Sequence, residues 1–153
     1  MKTRDGFVSN SSSSSFIVIE KGAHTELVGA FAKELLKLGH AGETEFGWGP
    51  DDVYGAFSKI NFAFLQSEAN PEWRAMLERV VLAQTGASSL EWALTSEFVA
   101  KAEKEGSGLT WGYVDHQSAA CEGQNIELFD SEEVLKDFLF NPASYIHLDN
   151  DNY

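Results

Sequence analysis

The order of the predicted secondary-structure elements is the feature that most constrains the fold of this chain. Runs of β-branched and aromatic residues predict strands, and apolar residues spaced three or four apart predict helices. These patterns place strands at 16–19, 89–94, 109–114, 124–129 and 144–147, and helices at 23–38, 50–66, 70–85, 96–105 and 130–141. The strands and helices do not alternate as they do in a parallel βαβ sheet. We therefore predict a single α+β domain over residues 1–153, with a mixed or mainly antiparallel sheet packed against several helices.

The helix at 70–85 has the strongest local signals for its two ends. Asn70 is a favourable N-cap, Pro71 suits the first helical position, and Gly86 suits the residue that follows a helix. A second pair of residues, Asp130 and Glu133, has the spacing of a capping box. These signals predict where the third and the last helices begin.

The other elements are predicted from spacing and from turn residues. The helix at 23–38 is predicted from the helical spacing of Leu27, Phe31, Leu35 and Leu38, and Gly39 would end it. The helix at 50–66 would begin at Pro50, with Asp51 and Asp52 in its first turn. The pieces at 109–114 and 124–129 are predicted to form a β-hairpin or two neighbouring strands.

Charge and composition exclude several classes of protein. Lys and Arg total 11 against 24 Asp and Glu, so the formal net charge is -13. This acidic balance argues against direct binding to a nucleic-acid backbone, although an acidic mimic of nucleic acid stays open. The chain has neither a long apolar run nor a secretory signal pattern, and its single cysteine, Cys121, excludes an internal disulfide framework. We therefore expect a cytoplasmic protein without a membrane partner.

A block of polar residues precedes the first predicted strand and is one candidate ligand-binding site. It consists of Ser9, Asn10, Ser11, Ser12, Ser13, Ser14 and Ser15. Backbone N–H groups and hydroxyls of such a loop can bind an anion, for instance a phosphate. The block lacks the glycines and the lysine of a Walker loop, so the alternative is a polar loop without a ligand.

A second candidate site lies at the end of the strand predicted at 109–114. His116 and Ser118 match one half of the His-x-Ser/Thr pattern of two-histidine phosphoesterases, and Asp115 stands beside them. The second half is missing, because the other late histidine reads His147-Leu148-Asp149. Adjacent residues of a strand point to opposite faces, which disfavours a direct pair between Asp115 and His116. No cofactor and no metal site are predicted, since no two histidines have helical i, i+4 spacing.

The segment Gly6-Phe7-Val8-Ser9-Asn10-Ser11-Ser12-Ser13-Ser14-Ser15-Phe16 resembles the N-terminal signature of small bacteriophage and bacterial proteins that have no established activity. The stretches Asp115-His116-Gln117-Ser118 and Phe138-Leu139-Phe140-Asn141-Pro142 through Asn150-Asp151-Asn152 are similar to later parts of such proteins. The resemblance implies a viral or mobile-element origin. It implies no functional residue.

Three functions are consistent with these observations. The leading hypothesis is a phage- or mobile-element-associated accessory protein that binds a host or viral protein partner. The alternative is a nucleotide- or phosphate-binding domain, or a phosphoesterase-like enzyme, which uses the serine block and His116. A further alternative is an acidic mimic of nucleic acid.

Overall fold

A computed structural model describes residues 16–39, 45–46, 51–67, 70–92, 113–114 and 126–148. Its strands are β1 (Phe16–Val18), β2 (Leu35–Leu38), β3 (Glu45–Phe46), β4 (Asp51–Val53), β5 (Ser89–Trp92), β6 (Tyr113–Val114) and β7 (Tyr145–Leu148). Its α-helices are α1 (Ala56–Gln66), α2 (Pro71–Thr85) and α3 (Glu132–Phe140), and a 3₁₀ helix covers Ile126–Phe129. The α+β prediction is confirmed.

Within these residues the strands form three small sheets. Strand β7 lies between β1 and β4 and is antiparallel to both. The other two sheets are the parallel pairs β2–β5 and β3–β6. Parallel and antiparallel pairing therefore occur in separate sheets, and the described strands do not join into the single sheet that was predicted.

The core lies between the inner face of the β1–β7–β4 sheet and the three helices. Ile17, Ile146 and Val53 are neighbours across the three strands and are buried, as the period-2 alternation of strands requires. On the helices, the Phe62 ring of α1 lies 6.1 Å from the Phe138 ring of α3. These residues belong to one hydrophobic cluster, which also includes side chains of α2 and the 3₁₀ helix.

The prediction of a helix at 23–38 is wrong. Residues 26–34 form a series of turns, in which Leu27, Gly29 and Lys33 have positive φ angles of 59°, 63° and 64°. The N–H groups of Gly29, Phe31 and Lys33 donate to the carbonyls of residues 84–86, at the C-terminal end of α2. A helix leaves its last carbonyls without partners inside the helix, and this segment supplies donors for them.

The end of the same segment is a strand because it pairs with a distant one. In β2, Leu36 and Leu38 are buried while the alternate residues are exposed, and each pairs with a residue of β5. Of the residues predicted to share an apolar face, Leu27 and Phe31 pack against the core and Leu38 is buried, whereas Leu35 is exposed. The backbone that brings them there was determined by contacts with α2 and β5.

The start of the helix predicted at 50–66 is also wrong, whereas its end is confirmed. Residues Asp51–Val53 form β4 and pair with β7, and α1 begins five residues later than Asp51, at Ala56. Nearly all of α1 is buried, which is typical of a helix at the centre of a core. The pairing with β7 took precedence over the helix-start signal at Pro50.

Two further predictions differ from the structure near the last helix. Residues 124–129 were predicted to form a strand beside the one at 109–114, but Ile126–Phe129 form the 3₁₀ helix. Strand β6 pairs in parallel with β3 instead. The N-cap of α3 is Ser131, not Asp130, because the Ser131 hydroxyl accepts from the Val134 N–H at 3.1 Å. The helix predicted at 96–105 and the remainder of the strand at 109–114 lie outside the described residues.

The predictions for α2 are confirmed at both ends. The Asn70 Oδ1 accepts from the N–H groups of Glu72 and Trp73, at 3.1 and 3.2 Å, and Pro71 is the first helical residue. Gly86 follows the helix with φ of +75°. A Cβ at this glycine would lie 3.3 Å from the Cα of Ala32, so glycine suits both the conformation and the space.

Replacing Asn70 with alanine should lower the free energy of unfolding by about 1 kcal/mol, because two N–H groups of the first turn lose their acceptor. Urea denaturation of the wild type and the variant measures this difference. Asn70→Asp, which keeps the acceptor, should change the stability by a few tenths of a kcal/mol at most. Equal losses in both variants would show that the cap is not the cause.

Candidate functional site

The outer face of the β1–β7–β4 sheet carries a row of aromatic and acidic side chains. The strand register places Phe16, His147 and Asp52 side by side on the three strands. The rings of Phe16 and His147 lie 4.8 Å apart, and His147 Nδ1 lies 2.6 Å from Asp52 Oδ1. All three side chains keep contact with solvent. This row combines an aromatic surface with a negative charge.

A second aromatic pair lies next to that row. Tyr145 precedes His147 by two residues on β7, and its ring stacks on Tyr54 with 4.6 Å between the centroids. Tyr54 follows β4 directly and is 45% exposed. Burial raises the pKa of the Tyr145 hydroxyl, and the neighbouring Tyr54, Asp52 and Glu20 raise it further. Together the row and the tyrosine pair form the aromatic face, defined by Phe16, Asp52, Tyr54, Tyr145 and His147.

The aromatic face can bind a cationic side chain. Aromatic rings attract guanidinium and ammonium groups through their negative π faces, and a nearby carboxylate adds a charge-assisted hydrogen bond to the same cation. Asp52 lies within the face, and the negative charge of Glu20 acts on Tyr145, another member of the face. The described surface elsewhere exposes two large aliphatic side chains, Val28 and Leu35.

Lys59 has a strongly shifted pKa but lies away from any surface. Its side chain is completely buried, and its Nζ donates to the carbonyl oxygens of Asn141 and Ser144, at 2.9 and 2.8 Å. Burial lowers the pKa of Lys59 from 10.5 to about 8, and Glu26 opposes part of this shift. A shifted pKa can mark a catalytic group, but an amine enclosed in this way connects α1 to the turn between α3 and β7.

The residues predicted from the sequence as site residues lie outside the described part of the chain. This applies to the serine block, Ser9–Ser15, and to Asp115, His116 and Ser118. The predicted proximity of the serine block to His116 therefore stays a prediction. The described histidines are His24 and His147. His24 has no site role predicted from the sequence, and His147 is considered there only as a second half that the phosphoesterase pattern would need.

Both described histidines pair with carboxylates far away in the chain. His147 and its partner Asp52 are 95 residues apart, and His24 and its partner Asp137 are 113 residues apart. No local motif encodes such pairs. The one signal for the aromatic face in the sequence is the alternation of Tyr145 and His147 with buried residues on β7, which places them on one side of a strand.

Among the described helices, none combines the length and the apolar character needed to cross a membrane. Comparisons of the chain with models of known protein families, with curated proteins and with solved structures find no significant match.

Proposed function

We propose that this protein acts by binding a protein partner, and that the aromatic face binds an arginine- or lysine-rich segment of that partner. The observation that carries the proposal is the stacked pair of Tyr54, which is 45% exposed, and Tyr145, with the Asp52 carboxylate near Tyr145. Tyrosines are enriched at the centres of protein interfaces, where they contribute large contact areas at low entropic cost.

The charge of the whole chain supports a basic partner. A formal charge of -13 attracts cationic segments over distances longer than a contact and repels other acidic surfaces. An arginine side chain would stack on the Tyr54 ring while its guanidinium N–H groups donate to the Asp52 carboxylate. The resemblance of the N-terminal segment adds the expectation of a host or viral protein as the partner, in the cytoplasm.

The proposal predicts that a short fluorescent peptide of alternating arginine and glycine binds this protein, and that Tyr54→Ala weakens the binding about fivefold. Loss of one exposed cation–π contact costs about 1 kcal/mol, which corresponds to that factor. Fluorescence anisotropy at low and moderate salt measures the affinity, and Tyr54→Phe should keep it because the ring remains.

Controls separate binding at the aromatic face from general attraction to an acidic protein. Asp52→Asn removes a charge from the face, and Glu72→Gln removes a charge from the exposed first turn of α2. Asp52→Asn should weaken binding more than Glu72→Gln does. Equal effects of these two variants, or an affinity that Tyr54→Ala leaves unchanged, would contradict the proposal.

A further inference from the structure

A group of three potential metal ligands lies on the side of α3, apart from the aromatic face. Glu133 and Asp137 are four residues apart on α3, so both project from one side of the helix. His24, from the segment between β1 and β2, faces them. Its Nε2 lies 2.5 Å from Asp137 Oδ1 and 3.3 Å from Glu133 Oε2, and one ligand atom from each residue lies within 4.8 Å of the others.

Two members of the group are held in place by contacts on several sides. The Asp137 side chain is only 6% exposed, its Oδ1 accepts from the Gly22 N–H at 3.1 Å, and its backbone carbonyl accepts from the Ser144 hydroxyl. The backbone carbonyl of His24 accepts from the Gln84 side chain at 3.0 Å. The group is therefore positioned by the fold before any ion arrives, which lowers the entropic cost of binding.

The charges of the group are unbalanced. Two carboxylates face one imidazole, and within the part of the chain that the structure describes His24 is the cationic side chain with which they form ion pairs. Even a protonated His24 would leave one negative charge. Asp137 is buried, where a carboxylate requires compensation, and the Gly22 N–H and His24 provide part of it here. A divalent cation would balance both carboxylates while His24 is neutral.

The ligand types fit zinc, and the distances from His24 to the two carboxylates are near those of a zinc site. Imidazole nitrogen and carboxylate oxygen are both zinc ligands, and three protein ligands with water in the fourth position form an open zinc site. At metal–ligand distances of about 2.0–2.1 Å, a tetrahedron places its ligand atoms about 3.3 Å apart. The distance from His24 Nε2 to Glu133 Oε2 has this value, and the shorter distance from His24 to Asp137 has to increase by less than 1 Å.

Calcium and magnesium fit less well. Calcium takes six to eight oxygen ligands, and magnesium prefers an octahedron of oxygens. Here three side chains contribute, and one of them is an imidazole. Glu133 is 69% exposed, so the ion has a path from solvent. We propose that His24, Glu133 and Asp137 bind one Zn²⁺ ion.

Isothermal titration of the metal-free protein with Zn²⁺, and with Co²⁺ as a spectroscopic probe, tests this proposal. We expect one ion per chain, a visible Co²⁺ absorption typical of four-coordinate geometry, and a rise in Tm that a chelator reverses. His24→Ala should abolish the absorption. Affinity should fall as the pH is lowered, because protons compete for the ligands.

The decisive comparison uses two neighbouring glutamates at the exposed start of α3. Glu133→Gln removes a proposed ligand and should weaken Zn²⁺ binding at least tenfold. Glu132→Gln is the matched control, because Glu132 pairs with Arg79 and lies outside the group; its affinity should match the wild type. Absence of binding, binding that survives both His24→Ala and Glu133→Gln, or equal losses in the two glutamate variants would overturn the proposal.

Discussion

The wild type is expected to gain stability over the Lys59→Met variant as the pH rises. This difference in the free energy of unfolding grows by about 2–3 kcal/mol between pH 7 and pH 10. The growth arises from the buried amine. In the folded protein the pKa of Lys59 is lowered to about 8, whereas in the unfolded chain it has the ordinary value near 10.5. Between these two values the unfolded chain binds more protons than the folded protein does, so the free energy of unfolding rises with pH.

The sign of this effect is the opposite of that for a lysine in a favourable ion pair. Below pH 8 the folded protein holds a charged amine that has lost its water, and this cost is included in the stability. Above about pH 10 the amine is neutral in the folded protein, and its hydrogen bonds to Asn141 and Ser144 remain without that cost. The methionine variant lacks the titrating group and therefore lacks this contribution.

Chemical denaturation of both proteins over this pH range measures the difference. Lys37→Met is a matched control, because Lys37 lies exposed on β2 and its ammonium group keeps its water. The stability difference between this control and the wild type should stay flat. A flat difference for Lys59→Met as well would show that the Lys59 amine is hydrated in solution.

Replacing Phe138 with alanine should lower the free energy of unfolding by about 3–5 kcal/mol. Phe138 is fully buried and lies against Phe62, so truncation leaves a cavity between α3 and α1. The loss combines the transfer free energy of the removed ring with the cost of the unfilled space. It amounts to a large part of the stability of a typical domain.

Urea denaturation monitored by circular dichroism gives the free energy of unfolding and its denaturant dependence. Phe138→Leu keeps most of the side-chain volume and should cost less than the alanine variant. An unchanged slope with urea would show that the unfolded state is comparable in all three proteins. A loss below about 1 kcal/mol for Phe138→Ala would mean that this helix contact does not stabilise the core as the structure indicates.

Local signals predicted the elements that depend mainly on local contacts. For α2, the capping side chain of Asn70, the proline at the first helical position and the glycine after the helix all lie within or beside the element. The pattern at 23–38 was equally regular, yet its backbone follows the carbonyls at the end of α2 and the edge of β5. Spacing indicates which apolar residues would share one face of a helix. It does not indicate which distant backbone groups need hydrogen-bond donors.

The same distinction applies to the candidate sites. A helical spacing of four brings Glu133 and Asp137 together and is visible in the sequence. His24 joins them through the tertiary fold, and Asp52 meets His147 only because β4 and β7 are neighbours in the sheet. A single sequence contains no information that pairs such residues before the topology is known.

The position of β7 has a consequence for the synthesis of this chain. Strand β7 is the last of the described elements, and it lies between β1 and β4, which come much earlier. Neither early strand meets its partner in this sheet until residues 145–148 have left the ribosome. The backbone N–H and C=O groups with which β1 and β4 pair to β7 thus lack these partners until β7 has been synthesised. Pairing at such long sequence separation is slow, so completion of the β1–β7–β4 sheet waits for β7.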